Sequence, residues 1–166
     1  PQSELNPKLA WETNALATMK LAEKAAAWGV ENFIYASSGS VYGVSHDPEV
    51  NENSRVDPFS DYNKTKMVAE RCVLSYANAM AVQILRPGTV CGYSPRMRLD
   101  VTVNRHTMEA LQKGVITILG GEQMRPHIHI EDMCDAYLWL LSHPTLVGIF
   151  NAGFENISVE DVAHRI

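Results

Sequence analysis

Tyr62 and Lys66 lie in the run Ser60-Asp61-Tyr62-Asn63-Lys64-Thr65-Lys66, four residues apart, at the start of a stretch with helical character. Positions i and i+4 share one face of a helix. A free tyrosine, with a pKa of about 10, is too poor a base at neutral pH. A neighbouring ammonium favours the ionised phenol and is the physical route to a usable base. The same spacing also suits an exposed helix with a solvated lysine, and the pair alone does not decide between the two. Lys64 is two residues from Tyr62, points elsewhere and reads as surface.

A second candidate group lies upstream. Asn32-Phe33-Ile34-Tyr35-Ala36 is a short apolar, aromatic-rich run that reads as a buried strand. It ends in Ser37-Ser38-Gly39-Ser40-Val41-Tyr42-Gly43. Small hydroxyl residues at the carboxyl end of a parallel strand sit where open α/β sheets bind ligands. A serine there either donates to a substrate oxygen or simply forms a polar turn.

The elements that must position these groups alternate. A helical, alanine-rich stretch runs from about Trp11 to Trp28, and the serine strand follows. Val44 to Ser60 is polar, carries Pro48 and Pro58, and reads as loop. A helix is expected from about Asp61 to Ala79 and a second strand over Val82-Gln83-Ile84-Leu85. Gly88 to Asp100 reads as loop, Val101 to Lys113 as helix, and Val115 to Leu119 as a third strand-like apolar run closed by Gly120-Gly121. Glu131 to Ser142 reads as helix, Ile149 to Asn151 as a short strand, and Ser158 as the cap of a last helix. This alternation argues for an α/β fold with a parallel sheet. Trp11, Trp28 and Trp139 fall in helical apolar patterns and are expected in the core.

Composition excludes several classes. The chain has 166 residues and a formal charge of −5, enough for a real core and too mild for a polyelectrolyte partner. No basic tract suggests nucleic acid. No apolar run approaches the roughly 20 residues that span a membrane. Cys72, Cys91 and Cys134 are scattered and odd in number, which implies no disulfide framework and favours a reducing, cytoplasmic setting.

Taken in order, the motifs resemble the extended short-chain dehydrogenase/reductase superfamily, the NAD-dependent sugar-nucleotide epimerases and dehydratases. Strand, S-S-x-S-V-Y-G, about twenty residues and then Y-x-x-x-K carry the resemblance. Asn14-Ala15-Leu16-Ala17-Thr18 is similar to the family's N-V-x-G-T. Leu85-Arg86-Pro87-Gly88-Thr89-Val90-Cys91-Gly92 looks like its L-R-x-x-N-V-Y-G, and Arg125-Pro126-His127-Ile128-His129-Ile130-Glu131-Asp132 like its R-D-x-I-H-V-x-D.

The resemblance implies the later part of a Rossmann-like parallel sheet with helices on both faces, plus part of a small substrate-binding lobe. Residues 1–92 would form the rear of the NAD(P)-binding domain and carry the Ser/Tyr/Lys site. Residues 93–166 would be mostly substrate lobe with returning Rossmann elements, in a single compact unit. No G-x-x-G-x-x-G or G-x-G-x-x-G occurs in the chain. The family carries that fingerprint in its first βαβ unit, so a fragment is expected that starts after it and ends inside the last helix.

The resemblance also assigns roles. Tyr62 would be the general base and acid, Lys66 its partner and a ribose contact, and Ser38 the catalytic serine, with Ser37 the fallback if the register slips by one. Asn14, Ser37 and Pro87 would join Tyr62 and Lys66 at the cofactor, which is NAD, with NADP possible. Ser38, Ser40, Thr89, Arg98 and Arg125 would contact a nucleotide-sugar, Arg125 at its diphosphate. Arg86 reads as structural. His127 and His129 form H-x-H, but only Glu131 and Asp132 stand near as further ligands and the family uses no metal, so none is expected. A homodimer through helices near 11–28 and 61–79 is implied. Three departures matter: Thr89 stands for a substrate-binding Asn, Pro126 for the Asp after the arginine, and Gly39-Ser40 for the Asp-Glu pair of 4,6-dehydratases. Water elimination needs a second acid and base, so the last favours epimerisation or simple oxidation-reduction.

Overall fold

A computed structural model describes residues 2–44 and 49–166. The elements in chain order are α1 Gln2–Leu5, α2 Pro7–Ala10, a π-helical turn Trp11–Leu16, α3 Ala17–Ala27, β1 Asn32–Ala36, a 3-10 turn Gly39–Tyr42 and α4 Asp61–Leu74. Then follow β2 Ala81–Pro87, β3 Thr89–Cys91, α5 Thr102–Lys113, β4 Met124–His129, α6 Ile130–Ser142, β5 Gly148–Ala152, β6 Glu155–Ser158 and α7 Val159–Arg165. Packing divides the chain into Pro1–Arg86 with Trp139–Asn151 and Pro87–Leu138 with Ala152–Ile166. The division thus falls after Arg86, where the sequence reading drew a boundary after residue 92 within one unit.

The first unit is built on a sheet ordered β1-β2-β5. β1 and β2 run parallel, with Tyr35 opposite Ile84 and Ala36 opposite Leu85. Five consecutive buried residues, Val82 to Arg86, mark β2 as covered on both faces, as a parallel strand must be. Ala22, Ala25, Ala69 and Val73 are small enough for α3 and α4 to close on Tyr35, Val82 and Ile84. Gln83 is buried in the same strand, and its amide donates to the carbonyls of His143 (2.9 Å) and Leu146 (2.7 Å), pinning the segment after α6. The second unit carries a sheet ordered β3-β4-β6, parallel between β3 and β4 and antiparallel between β4 and β6.

Several sequence expectations shift. The expected loop from Gly88 to Asp100 contains β3, which pairs with β4. The apolar run Val115 to Leu119 is no strand: Val115 and Leu119 are exposed. Side chains of α5 take the backbone groups of Thr117 that a ladder would use. Glu109 accepts from its N–H at 3.2 Å and Arg105 donates to its carbonyl at 3.2 Å. The helix after Ser60 stops at Leu74, five residues short of the expected end. There the Ser75 hydroxyl donates to the Cys72 carbonyl at 2.7 Å, and the next turns close by i→i+3 bonds. Trp28 and Trp139 are 78% and 51% exposed rather than core, while Trp11 is half-buried. Of the expected loop from Val44 to Ser60, residues 45–48, with Pro48, lie outside the described residues, and the remainder forms no helix or strand.

Candidate active site

The Tyr62/Lys66 pair begins α4, whose start is written in the sequence. The Ser60 hydroxyl caps it by accepting from the Asn63 N–H at 3.2 Å, and Asp61 adds a carboxylate to the first turn. Trp11 Nε1 donates to Asp61 at 3.1 Å, and Asn14 Nδ2 to Thr65 Oγ1 at 3.2 Å. Thr65 in turn donates to the Tyr62 carbonyl at 2.8 Å. The π-helical turn, a form found often at functional sites, is therefore the segment stitched to the turn that bears Tyr62.

Lys66 Nζ donates to the Ala36 carbonyl at 2.8 Å. Ala36 is the last residue of β1, so this bond fastens the tyrosine helix to the strand end where the serines begin. The ammonium lies 5.9 Å from the Tyr62 ring centroid and 5.1 Å from that of Tyr35. Burial pulls the Lys66 pKa below its ordinary value, and Glu70 partly opposes this. Burial pushes the Tyr35 phenol well up, with Tyr62 and Glu70 adding to the rise. Tyr35 is thus a neutral neighbour and no competitor as a base. Among the described residues, no hydrogen bond joins the Tyr62 hydroxyl to protein.

The serine turn separates its hydroxyls by task. Ser38 caps the 3-10 turn: its Oγ accepts from the Ser40 N–H at 3.2 Å and lies 2.8 Å from Ser40 Oγ. Both serines are partly exposed. Ser37 is buried, and its hydroxyl donates to Glu70 Oε1 at 2.5 Å. Glu70 pairs bidentately with Arg86, through Nε at 2.8 Å and Nη2 at 2.6 Å. Arg86 Nη1 reaches the Tyr42 hydroxyl at 2.8 Å, and Tyr42 donates to Asn151 Oδ1 at 2.8 Å. Burial works against the Arg86 cation, but Glu70 and Tyr42 more than offset it and hold its pKa above the ordinary value. Sequence reading missed Glu70. The signal was present: it lies one helix turn after Lys66 on the same face, and Arg86 is a charge inside an apolar strand.

The substrate candidates of the second unit fall in two places. Thr89 and Arg125 line one cavity of about 260 Å³ together with Asp100, Arg105, His106 and Gln123. Arg125 is exposed and donates to Gln123 at 2.9 Å. His106, also missed, is buried with Nδ1 lacking a protein partner, and burial lowers its pKa. Arg98 does not line this cavity. It forms a two-bonded pair with Asp100, at 3.0 and 2.7 Å, that holds the Asp100 carboxyl below its usual range. Pro87 ends β2, half-buried. His127 is buried and bonded to the Arg125 carbonyl at 3.0 Å, whereas His129 is exposed beside Glu131. Among the described residues no cluster could hold a metal ion, and no helix is long and apolar enough to cross a membrane.

Comparison with known proteins identifies the family. The model of the NAD dependent epimerase/dehydratase family matches residues 1–153. An uncharacterized UDP-glucose epimerase of Bacillus subtilis is 31% identical over 156 residues, 92% of this chain and 49% of that protein. UDP-arabinose 4-epimerase 1 of Arabidopsis thaliana is 31% identical over 159 residues, 82% of this chain and 38% of that protein. Among solved structures, an NAD-dependent NDP-hexosamine 5,6-dehydratase of tunicamycin biosynthesis superposes with a TM-score of 0.88 at 28% identity, covering 99% of this chain and 55% of that one. The UDP-glucuronic acid 4-epimerase of Bacillus cereus, solved with UDP-glucuronic acid and NAD, superposes with a TM-score of 0.79 at 30% identity, covering 90% and 49%. The chain spans about half the length of these relatives or less.

Proposed function

This chain belongs to the NAD-dependent epimerase/dehydratase family, and from that premise we propose that it carries the catalytic part of a nucleotide-sugar epimerase. Tyr62 Oη takes the proton of a sugar hydroxyl and later returns it. Ser38 Oγ hydrogen-bonds the same sugar oxygen, with Ser40 holding its rotamer. Lys66 spends one N–H on Ala36 and has two left for ribose hydroxyls. NAD, when bound, supplies the hydride acceptor. The residues of this chain fit its nicotinamide end only in part. Ser37 spends its hydroxyl proton on Glu70, whereas Asn14 spends one of its two amide N–H groups on Thr65, so Asn14, Tyr62 and Lys66 keep donors to offer. Thr89, Arg125 and Arg105 suit the phosphate-bearing end of the substrate, where arginine forks pair well with phosphate oxygens. At about 260 Å³ their cavity is below the roughly 300 Å³ at which small-molecule sites begin, so it takes one portion of a nucleotide sugar and not the whole.

The observation that carries this reading is the bond from Lys66 to the Ala36 carbonyl, because it joins the tyrosine motif to the serine turn. Gly39 and Ser40, where 4,6-dehydratases carry two carboxylates, favour epimerisation over elimination. The test is incubation with NAD and a panel of UDP- and dTDP-sugars, followed by proton NMR. Appearance of a second epimer supports the reading, and a panel left unchanged sinks it. A homodimer through the helices near 11–28 and 61–79 is part of the proposal. Leu16, Leu21 and Trp28 stand exposed along the first of these, and sedimentation showing monomer alone would count against the dimer.

A further inference from the structure

Glu70 and Arg86 are each 2% exposed, and neither has a part in the chemistry proposed above. A buried ion pair is a poor device for stability, because a well-packed apolar pair does as well or better. What distinguishes this pair is where its remaining bonds go. Glu70 Oε1 accepts from Ser37 Oγ, at the first residue of the serine turn. Arg86 Nη1 donates to Tyr42 Oη, at the last residue of its 3-10 segment, with the guanidinium 4.8 Å from the Tyr42 ring centroid. One ion pair therefore grips both ends of the turn whose middle is Ser38 and Ser40. Glu70 also rides on α4 one turn beyond Lys66, so its Ser37 bond and the Lys66 bond to Ala36 form two successive fasteners between helix and strand end.

We infer that Glu70 is a positioning residue that, with Arg86, sets the placement of Ser38 relative to the helix bearing Tyr62 and Lys66. The inference rests on the reading of Ser38, Tyr62 and Lys66 as the catalytic set. Geometry of this kind has large kinetic leverage, since a misplacement of about 1 Å can lower a rate on the order of 100-fold. Glu70 has a second effect. Among the described residues, the groups facing Lys66 are Tyr35 from β1 and Tyr62 and Glu70 from α4, and Glu70 is the only carboxylate of these. It supports the ammonium against burial.

Ser37→Ala and Tyr42→Phe each release one end of the turn and leave the ion pair in place, so both variants should fold. The expected result is a kcat about 10-fold or more below wild type with KM changed by less than about two-fold for both, and recovery by Ser37→Thr, which keeps the hydroxyl. Tyr42 tests the geometry apart from any direct role of Ser37. Independently, ¹⁵N-lysine NMR of Glu70→Gln should show the Lys66 ammonium titrating lower than in wild type, while Ser37→Ala leaves it in place. Wild-type kcat in Ser37→Ala and Tyr42→Phe, beside a Tyr62→Phe variant that has lost turnover, overturns the inference and leaves the functional reading standing. An unmoved Lys66 midpoint in a folded Glu70→Gln variant overturns the charge role. Turnover that survives Tyr62→Phe overturns the functional reading itself.

Discussion

Replacing Arg86 with methionine isolates the energetics of the buried pair. The substitution keeps an unbranched apolar stem and deletes three hydrogen bonds, to Glu70 Oε1 (2.8 Å), Glu70 Oε2 (2.6 Å) and Tyr42 Oη (2.8 Å). Among the described residues it leaves the Glu70 carboxylate, inside the first unit, with only the Ser37 hydroxyl as donor. Removing one member of a buried pair costs about 3–5 kcal/mol, mostly as the penalty of the stranded charge. Against a total of about 5–15 kcal/mol for an ordinary protein, that is about a fifth of the stability or more. With a urea m-value of about 2 kcal/mol/M, the unfolding midpoint should fall by about 1.5–2.5 M. The assay is equilibrium urea unfolding at neutral pH, followed by tryptophan fluorescence and far-UV circular dichroism. The double variant Arg86→Met/Glu70→Leu should recover part of the loss, because no charge is then stranded, and the two single effects should not add. A midpoint within about 0.5 M of wild type, or strict additivity, would show that Arg86→Met strands no charge.

Three further outcomes follow from single contacts. Ser60→Ala removes the cap of α4 and should lower stability by about 1 kcal/mol in thermal melts, with Ser60→Thr restoring most of it. Gly43 has φ of +72°, and a Cβ there would lie 2.1 Å from the Asp57 carbonyl oxygen. Gly43→Ala should therefore destabilise by about 2 kcal/mol or more, checked by the same melts. His106 and His127 are buried with folded pKa values below 6.5, chiefly by desolvation. Their contribution is fully present above the unfolded value and is lost as pH falls through the folded one, because the unfolded chain then binds more protons. Unfolding free energy should thus decline with falling pH from about 6.5 downward, and His106→Phe should flatten that slope.

Local chemistry made some of this molecule readable. β1 is found over Asn32–Ala36 because an apolar aromatic run is bracketed by a glycine upstream and three serines downstream. α4 and α7 begin at Ser60 and Ser158 because a hydroxyl at that position has a backbone N–H to accept from. What stayed hidden depends on partners distant in the chain. Glu70 looks like any solvated helix carboxylate until Ser37 and Arg86 arrive from 33 and 16 residues away. Val115 to Leu119 has a strand's composition, yet α5 side chains satisfy Thr117 first. Trp28 and Trp139 fit helical apolar patterns, and only tertiary packing shows that those faces are exposed. Thr89 and Arg125 were legible as motif positions, whereas Arg105 and His106 were not, because the wall of a cavity is a property of the fold.

We propose that Tyr62, held beside Lys66 at the end of the serine strand, moves the substrate proton. The deciding experiment is turnover of a nucleotide sugar with NAD, measured for wild type and Tyr62→Phe under identical conditions. A general acid–base group contributes about 10²–10⁴ in rate. A kcat lower by that factor in the phenylalanine variant, with its fold and melting temperature unchanged, is the predicted result. Turnover at the wild-type rate in Tyr62→Phe would show that another group moves the proton.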